Sequence, residues 1–331
     1  MSMKYSLIDF ATIYPGERPR AAFERSVRFA QHAEELGFDR IWYAEHHNMT
    51  TIASSQPAVL IAYVGSHTSS ISLGAGGVML PNHAPLIVAE QFGTLSEMFP
   101  GRIELGLGRA PGTDQQTLRA IRRVPGAADR FPQDVQELRG YFADEPLLSG
   151  VHAMPGAGTN VPIIILGSSL FGATLAAQLG LPYAFASHFA PAHLEEAVDT
   201  YRRTYQPSEQ HPEPYVIAAV NVTAARTTEE AKEKLQEVYR RRVHSMVARG
   251  RDLSTEQLDQ LVNSFAGHQV TQMLHYNAVG NPEEVSAYLD EFAKLSRADE
   301  LMLSIQDDDE SSLLESLDIV AQSKFQSPNP S

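Results

Sequence analysis

Residues 71–111, ISLGAGGVMLPNHAPLIVAEQFGTLSEMFPGRIELGLGRAP, constrain the fold more than any other part of the chain. Two short runs, 71–80 and 103–108, are almost wholly apolar, as parallel strands covered on both faces are. Between them Leu86, Ala89, Phe92 and Leu95 recur at helical spacing, and Pro100-Gly101 ends that helix. The stretch therefore reads strand, helix, strand, one unit of a parallel sheet that needs helices packed over it. Gly74, Gly76 and Gly77 lie inside the first strand, where a bare backbone marks a bulge or a close approach by another group. The second strand runs out through Gly106 and Gly108 to Arg109, a lone arginine placed to hold an anion.

The same alternation extends along the chain. Strands are predicted at 5–10, 40–44, 71–80, 103–108, 162–166, 183–186, 215–222 and 300–305, with helical patterns between them. Eight such units predict an α/β fold, a closed (β/α)8 TIM barrel, with a doubly wound open sheet as the alternative. Two connections are too long for simple turns: 112–160 after strand 4, and a helical excursion over 252–275 after strand 7. At 331 residues one barrel suffices. The reading is a single domain over 1–324 and a disordered tail over 325–331.

Composition removes whole classes of chemistry. The chain has no cysteine, so disulfides, thiolate nucleophiles and cysteine metal sites are excluded, and a reducing cytoplasm is the expected location. A formal charge of −14 argues against nucleic acid or an anionic membrane as partner. No apolar run approaches the ~20 residues of a spanning helix. Lys4, Lys232, Lys234, Lys294 and Lys324 all lie away from predicted strand ends, which argues against a Schiff-base enzyme.

A barrel of this type carries its chemistry at the carboxyl ends of the strands. Those ends gather Asp9 and Phe10; Glu45, His46, His47 and Asn48; Gly76 and Gly77 with Asn82 and His83; Gly108 and Arg109; Gly167, Ser168 and Ser169; Ser187 and His188; and Asn221. No His-x-His or His-Glu-x-x-His occurs, and no metal is expected. Gly167-Ser168-Ser169 precedes a helix whose free N–H groups favour a phosphate, although a serine there also serves as an ordinary N-cap. Arg109 is suited to close on that anion, or to form a rim ion pair.

Four motifs in order carry a likeness. Trp42-Tyr43-Ala44-Glu45-His46-His47, then 74–81 (GAGGVMLP), 101–109 (GRIELGLGR) and 176–182 (AAQLGLP), together resemble the bacterial luciferase-like, flavin-dependent monooxygenases, in their single-chain form. The likeness runs over residues 5–322.

The resemblance implies a reduced FMN co-substrate supplied by a separate NAD(P)H:flavin reductase that docks transiently. It also implies O2 activation as a flavin C4a-hydroperoxide and oxygenation of a small organic substrate. It places the flavin phosphate on Arg109 and on the turn Gly167, Ser168, Ser169, Leu170 and Phe171, and a non-proline cis peptide at Gly76–Gly77; a simple bulge is the alternative there. His46 maps to the catalytic histidine, with His47 beside it. His46 is expected to titrate near its ordinary pKa and to have Glu45 as its carboxylate neighbour. Asp9, Phe10, Asn82 and His83 are expected to shape the substrate pocket. A homodimer through the helices at 56–67 and 86–95 is expected, with Pro57, Ala58, Ala62 and Gly65 allowing close approach. Gly108 stands where light-emitting members carry a reactive cysteine, and apolar Leu170 where they carry an acid, so bioluminescence is not expected. Two alternatives remain: a deazaflavin (F420)-dependent hydride-transfer enzyme on the same barrel, and a non-catalytic flavin-binding protein.

Overall fold

A computed structural model of the chain describes residues 3–326. Eight parallel strands close a barrel: β1 (Lys4–Asp9), β2 (Arg40–Tyr43), β3 (Ser72–Met79), β4 (Ile103–Gly108), β5 (Ile163–Gly167), β6 (Tyr183–Phe185), β7 (Val216–Ala224) and β9 (Glu300–Ile305). Neighbours in sequence pair from β1 to β7, and β9 returns between β7 and β1. Tyr183–Phe185 against Val216–Ala218 supplies the pairing between β6 and β7 that an open sheet would lack. The fold is the expected (β/α)8 barrel. Its alternating strand and helix pattern is explained by two cores. Ile8, Trp42, Ala44, Ile164, Ala184, Ile217, Ala219 and Met302 fill the barrel interior. A larger shell, including Leu7, Ile41, Leu73, Leu105 and Leu303, packs the outer strand face on the helices.

The covering helices are α1 (Pro19–Glu35), α2 (Pro57–Gly65), α3 (Pro85–Met98), α6 (Leu170–Leu179), α7 (Leu194–Thr204), α8 (Thr228–Val247), α11 (Pro282–Ser296) and α12 (Glu310–Gln326). The connection after β4 holds α4 (Gln115–Ala120) and α5 (Phe131–Phe142). The excursion after β7 holds α9 (Thr255–Val262) and α10 (Phe265–Gln272). Proline begins α1, α2, α3 and α11, where its missing N–H costs no helical hydrogen bond.

Two readings need correction. A ninth strand, β8 (Asn277–Gly280), was not anticipated; it pairs with Asn221–Ala224, the half of β7 that overhangs the barrel. Four residues headed by asparagine and ended by glycine look like a turn, and only the edge that β7 leaves open beyond β6 makes them a strand. The final helix also extends to Gln326, so the tail expected to begin at residue 325 starts inside it; 327–331 lie outside the described residues.

The amino end of the barrel is closed by charge. Arg40 sits 2.6 Å from Glu104 and 3.2 Å from Glu300, and the Tyr215 hydroxyl donates to Glu300 at 2.6 Å. Burial pushes Glu104 up to about 7 against the opposing pull of Arg40, because one guanidinium faces two carboxylates there. The network seals the end opposite the chemistry.

Candidate active site

β3 and β4 meet with no side chain between them. A Cβ on Gly106 would come within 2.3 Å of the Ala75 carbonyl oxygen, and one on Gly77 within 2.7 Å of the Gly106 carbonyl oxygen. The register shifts between Gly76 and Val78, and the Gly76–Gly77 peptide is cis. The strand is thus both bulged and cis at the same glycine pair.

β2 ends at Tyr43 and its chain turns across the mouth of the barrel. Glu45, 1% exposed, is the hub of this turn. Its carboxylate lies 2.8 Å from His47 Nε2, 2.9 and 3.0 Å from His83 Nε2, and accepts the Met79 backbone N–H at 3.0 Å. Burial alone would raise this carboxyl; the hydrogen bonds from His47 and His83 overcome it and hold Glu45 at about 2. The same hydrogen bond raises His47. Glu45 therefore serves His47 and His83, not His46.

His46 faces elsewhere. Its backbone N–H donates to Ser54 at 3.0 Å, and its ring stacks on Phe10 at 5.9 Å with a 27° interplanar angle. Burial lowers its pKa below the ordinary histidine value, more than Glu45 and a nearby backbone carbonyl restore. The expectation of an unperturbed His46 is corrected; Glu45 does pull its pKa upward, as expected of a neighbouring carboxylate, but its side-chain hydrogen bonds are with His47 and His83. His188 also lies against Phe10, ring centroids 6.1 Å apart, and is 5% exposed. Burial brings it down to about 3, and its Nδ1 has no hydrogen-bond partner.

The other expected residues divide. Asn82 reaches the mouth: its Nδ2 donates to the Pro111 carbonyl at 3.0 Å while its buried Oδ1 has no partner. Asp9 turns away, accepting from Ser26 of α1 at 2.5 Å and from the Ala11 N–H at 2.7 Å, so it braces β1 on α1. Arg109 is exposed, and among the described residues it pairs with no carboxylate; its guanidinium lies 4.0 Å over the Phe171 ring. Phe171 is at the start of α6, where Ser169 occupies the N-cap position without capping the helix through its side chain. Gly167 backs this turn against Gly172, and Ser168, Leu170 and Phe171 remain partly open to solvent. The turn at 167–171 and Arg109 thus meet across β4 and β5.

Sequence reasoning missed Arg242 and Gln306. Arg242 sits in the run Arg240-Arg241-Arg242 on α8, which reads as a solvated helical face, and Gln306 is one residue past β9. Their place at the mouth depends on how α8 crosses the barrel end. A cleft of about 760 Å³ opens elsewhere, between α8 and α12. Its lining charges largely pair with one another, as Arg240 does with Glu237 and Arg226 with Glu315, and no strand-end group of the mouth lines it.

Residues 3–298 match the family model of luciferase-like monooxygenases. The chain belongs to that family. It is 42% identical over 321 residues to a luciferase-like monooxygenase of Escherichia coli (strain K12), covering 96% of each chain. Apo-MsnO8 superimposes with a TM-score of 0.87 at 30% identity, over 99% of both chains. Two further solved structures share the fold at 18% identity. One is the oxygenating constituent of 3,6-diketocamphane monooxygenase from Pseudomonas putida in complex with FMN (TM-score 0.72, 99% of this chain and 100% of that one). The other is an F420-dependent secondary alcohol dehydrogenase (TM-score 0.71, 98% and 100%). The fold thus serves both flavin and deazaflavin chemistry in this family's neighbours, and the site residues must decide between them.

Proposed function

We propose that this chain is a monooxygenase that takes reduced FMN from a separate NAD(P)H:flavin reductase, together with O2, and transfers one oxygen atom to a small organic substrate. The observation that carries the reading is Arg109. A guanidinium at a strand end, free of carboxylates and laid over Phe171 beside an uncapped helix start, fits a terminal phosphate. The amides of 168–171 would share that phosphate. The bare backbone at Gly76, Gly77 and Gly106 would admit a flat ring where any side chain would intrude.

When bound, reduced FMN supplies the electrons that activate O2 at the flavin C4a position. The protein's own part is positioning and proton handling. His46, neutral over the working pH range because burial lowers it, carries one N–H and one lone pair, so it can give and take a proton at its ring nitrogens. Glu45 locks the loop bearing His46 by clamping His47 and His83. Phe10 and the closed barrel wall keep bulk water from the reacting atoms.

The test is a titration with FMN and riboflavin. FMN should bind well ahead of riboflavin, and Arg109→Ala should cost about 1.5–3 kcal/mol of FMN affinity with little change for riboflavin. Equal binding of the two flavins by the wild type would overturn the phosphate site. Oxygen uptake with reduced FMN, against hydride exchange with reduced F420, separates this reading from the deazaflavin one.

A further inference from the structure

Arg242 is a cation without a counterion. Among the described residues it forms no ion pair, and its one hydrogen bond is a long one, 3.3 Å, to Gln306 Oε1. The acids nearby are engaged by other groups: Asp307 lies 3.1 Å from Lys234, and Asp308 lies 3.7 Å from Arg241. Burial lowers Arg242 to about 10, with Arg241 adding to the effect and no acid offsetting it. A part-buried guanidinium that no carboxylate engages is a ready partner for an anion that comes to it.

Arg242 is also tied to the site by a directed chain of hydrogen bonds. Gln306 Nε2 donates to Asn221 Oδ1 at 3.1 Å and to Ser304 Oγ at 2.8 Å, which fixes the amide so that its oxygen faces Arg242. Asn221, fully buried, donates in turn to the His188 carbonyl at 2.6 Å. His188 carries the buried Nδ1 that has no partner, and its ring contacts both Phe10 and the half-exposed Phe189, at 6.1 and 5.1 Å. Phe10 in turn touches His46. One end of the mouth is therefore cationic and polar, and the approach to it is aromatic.

We propose that Arg242, held in place by Gln306, anchors a carboxylate on the organic substrate, with His188 completing the anchor and Phe10 and Phe189 holding the apolar body. The proposal rests on the reading of the barrel mouth as the substrate site. A planar carboxylate matches the guanidinium fork, and a single negative charge matches a single positive one, because His188 stays neutral. The substrates favoured are aryl or alkyl carboxylic acids.

The experiment uses the purified full chain without flavin and two matched probe pairs: 3-phenylpropanoate with 3-phenylpropanamide, and decanoate with decanamide, measured by calorimetry. Each acid should bind at least tenfold tighter than its amide. Arg242→Gln should bring the acid down to the amide, a loss of roughly tenfold or more by the scale of charged hydrogen bonds. Arg242→Lys should keep part of the preference, as charge without the fork. Gln306→Glu, which supplies a carboxylate from within, should abolish the preference even if Arg242→Gln fails to fold. Acids and amides binding alike, neither acid binding, or an Arg242→Gln protein that folds and binds acids as the wild type does would each overturn the proposal. FMN titrated into the same variants should be unaffected; a matching loss of FMN affinity would reassign Arg242 to the flavin and overturn the carboxylate anchor. If FMN and riboflavin bind alike while the acids follow Arg242, the flavin-phosphate reading fails and the carboxylate anchor stands.

Discussion

Across 38 residues of chain, His83 Nε2 lies 2.9 Å from Glu45 Oε1 and 3.0 Å from Oε2. This contact joins the loop after β2 to the turn after β3, and His47 joins the same carboxylate from its own loop. A buried carboxylate that has lost water must recover its hydrogen bonds from the protein, and here three donors supply them.

Glu45→Gln should therefore cost stability in a pH-dependent way. Glu45 is depressed from 4.5 to about 2, so its stabilisation is present above pH 4.5 and is lost as pH falls towards 2. His47 is raised from 6.5, so its share is present below 6.5 and is lost as pH rises through its elevated value. Both are in place between pH 4.5 and 6.5. There the variant should be less stable by about 3 kcal/mol, the scale of that carboxylate shift, with the gap narrowing in acid. Urea unfolding at pH 3, 5.5 and 8 measures this; a pH-independent difference would count against the clamp.

His46→Ala should leave the fold and FMN affinity nearly intact and reduce oxygenation about 100- to 10,000-fold, with oxygen diverted to H2O2. Because burial lowers His46, the wild-type rate should be level above pH 6.5 and fall only below its depressed pKa. His47→Ala should act mainly through stability, since its ring is engaged with Glu45. Product yield per O2 consumed across a pH series reads both; wild-type coupling in the His46 variant would remove it from the reaction.

At the sealed end, Glu104 gives the opposite pH signature. Its pKa is raised to about 7 by burial, so it ionises in the folded chain only at a cost, and stability declines as pH rises from 4.5 through about 7. Glu104→Gln should flatten that decline, gaining up to about 3 kcal/mol at pH 8 relative to pH 5. Parallel stability curves for variant and wild type would show that Arg40 fully neutralises Glu104.

The expected homodimer has its best support in exposed side chains of α2 and α3. Val59 is 69% exposed, with Tyr63, Ile87 and Met98 also open. Gly65 has a different job from the one expected: a Cβ there would meet the Phe99 ring at 2.6 Å, so it fits its own barrel. We propose that the apolar patch pairs with its copy about a twofold axis. Val59→Glu should then give a folded monomer by light scattering, and a wild-type protein that is itself monomeric would rule the dimer out.

The barrel was legible because its code is local. Strands covered on both faces must be apolar throughout, and Ile103–Gly108 shows that as plainly in sequence as in burial. Gly76 and Gly77 announced a backbone that tolerates no side chain, and Arg109 and the turn before α6 could each be picked out as candidates because each signal sits within a few residues. β8 escaped because Asn277–Gly280 is a strand only by virtue of the edge β7 offers it.

What the sequence determined by itself is the alternation that closes the barrel, and hence which strand ends share one mouth. Tertiary structure decided the partners within that mouth. Adjacent residues Glu45, His46 and His47 look equivalent on paper. Yet burial and the approach of His83 from another strand assign the carboxylate to two histidines and leave the third against Phe10. Arg242 likewise meets Gln306, just past β9, only through the path of α8. Hydrogen bonds and desolvation depend on distances of a few ångströms between residues far apart in the chain, and no periodicity encodes those distances.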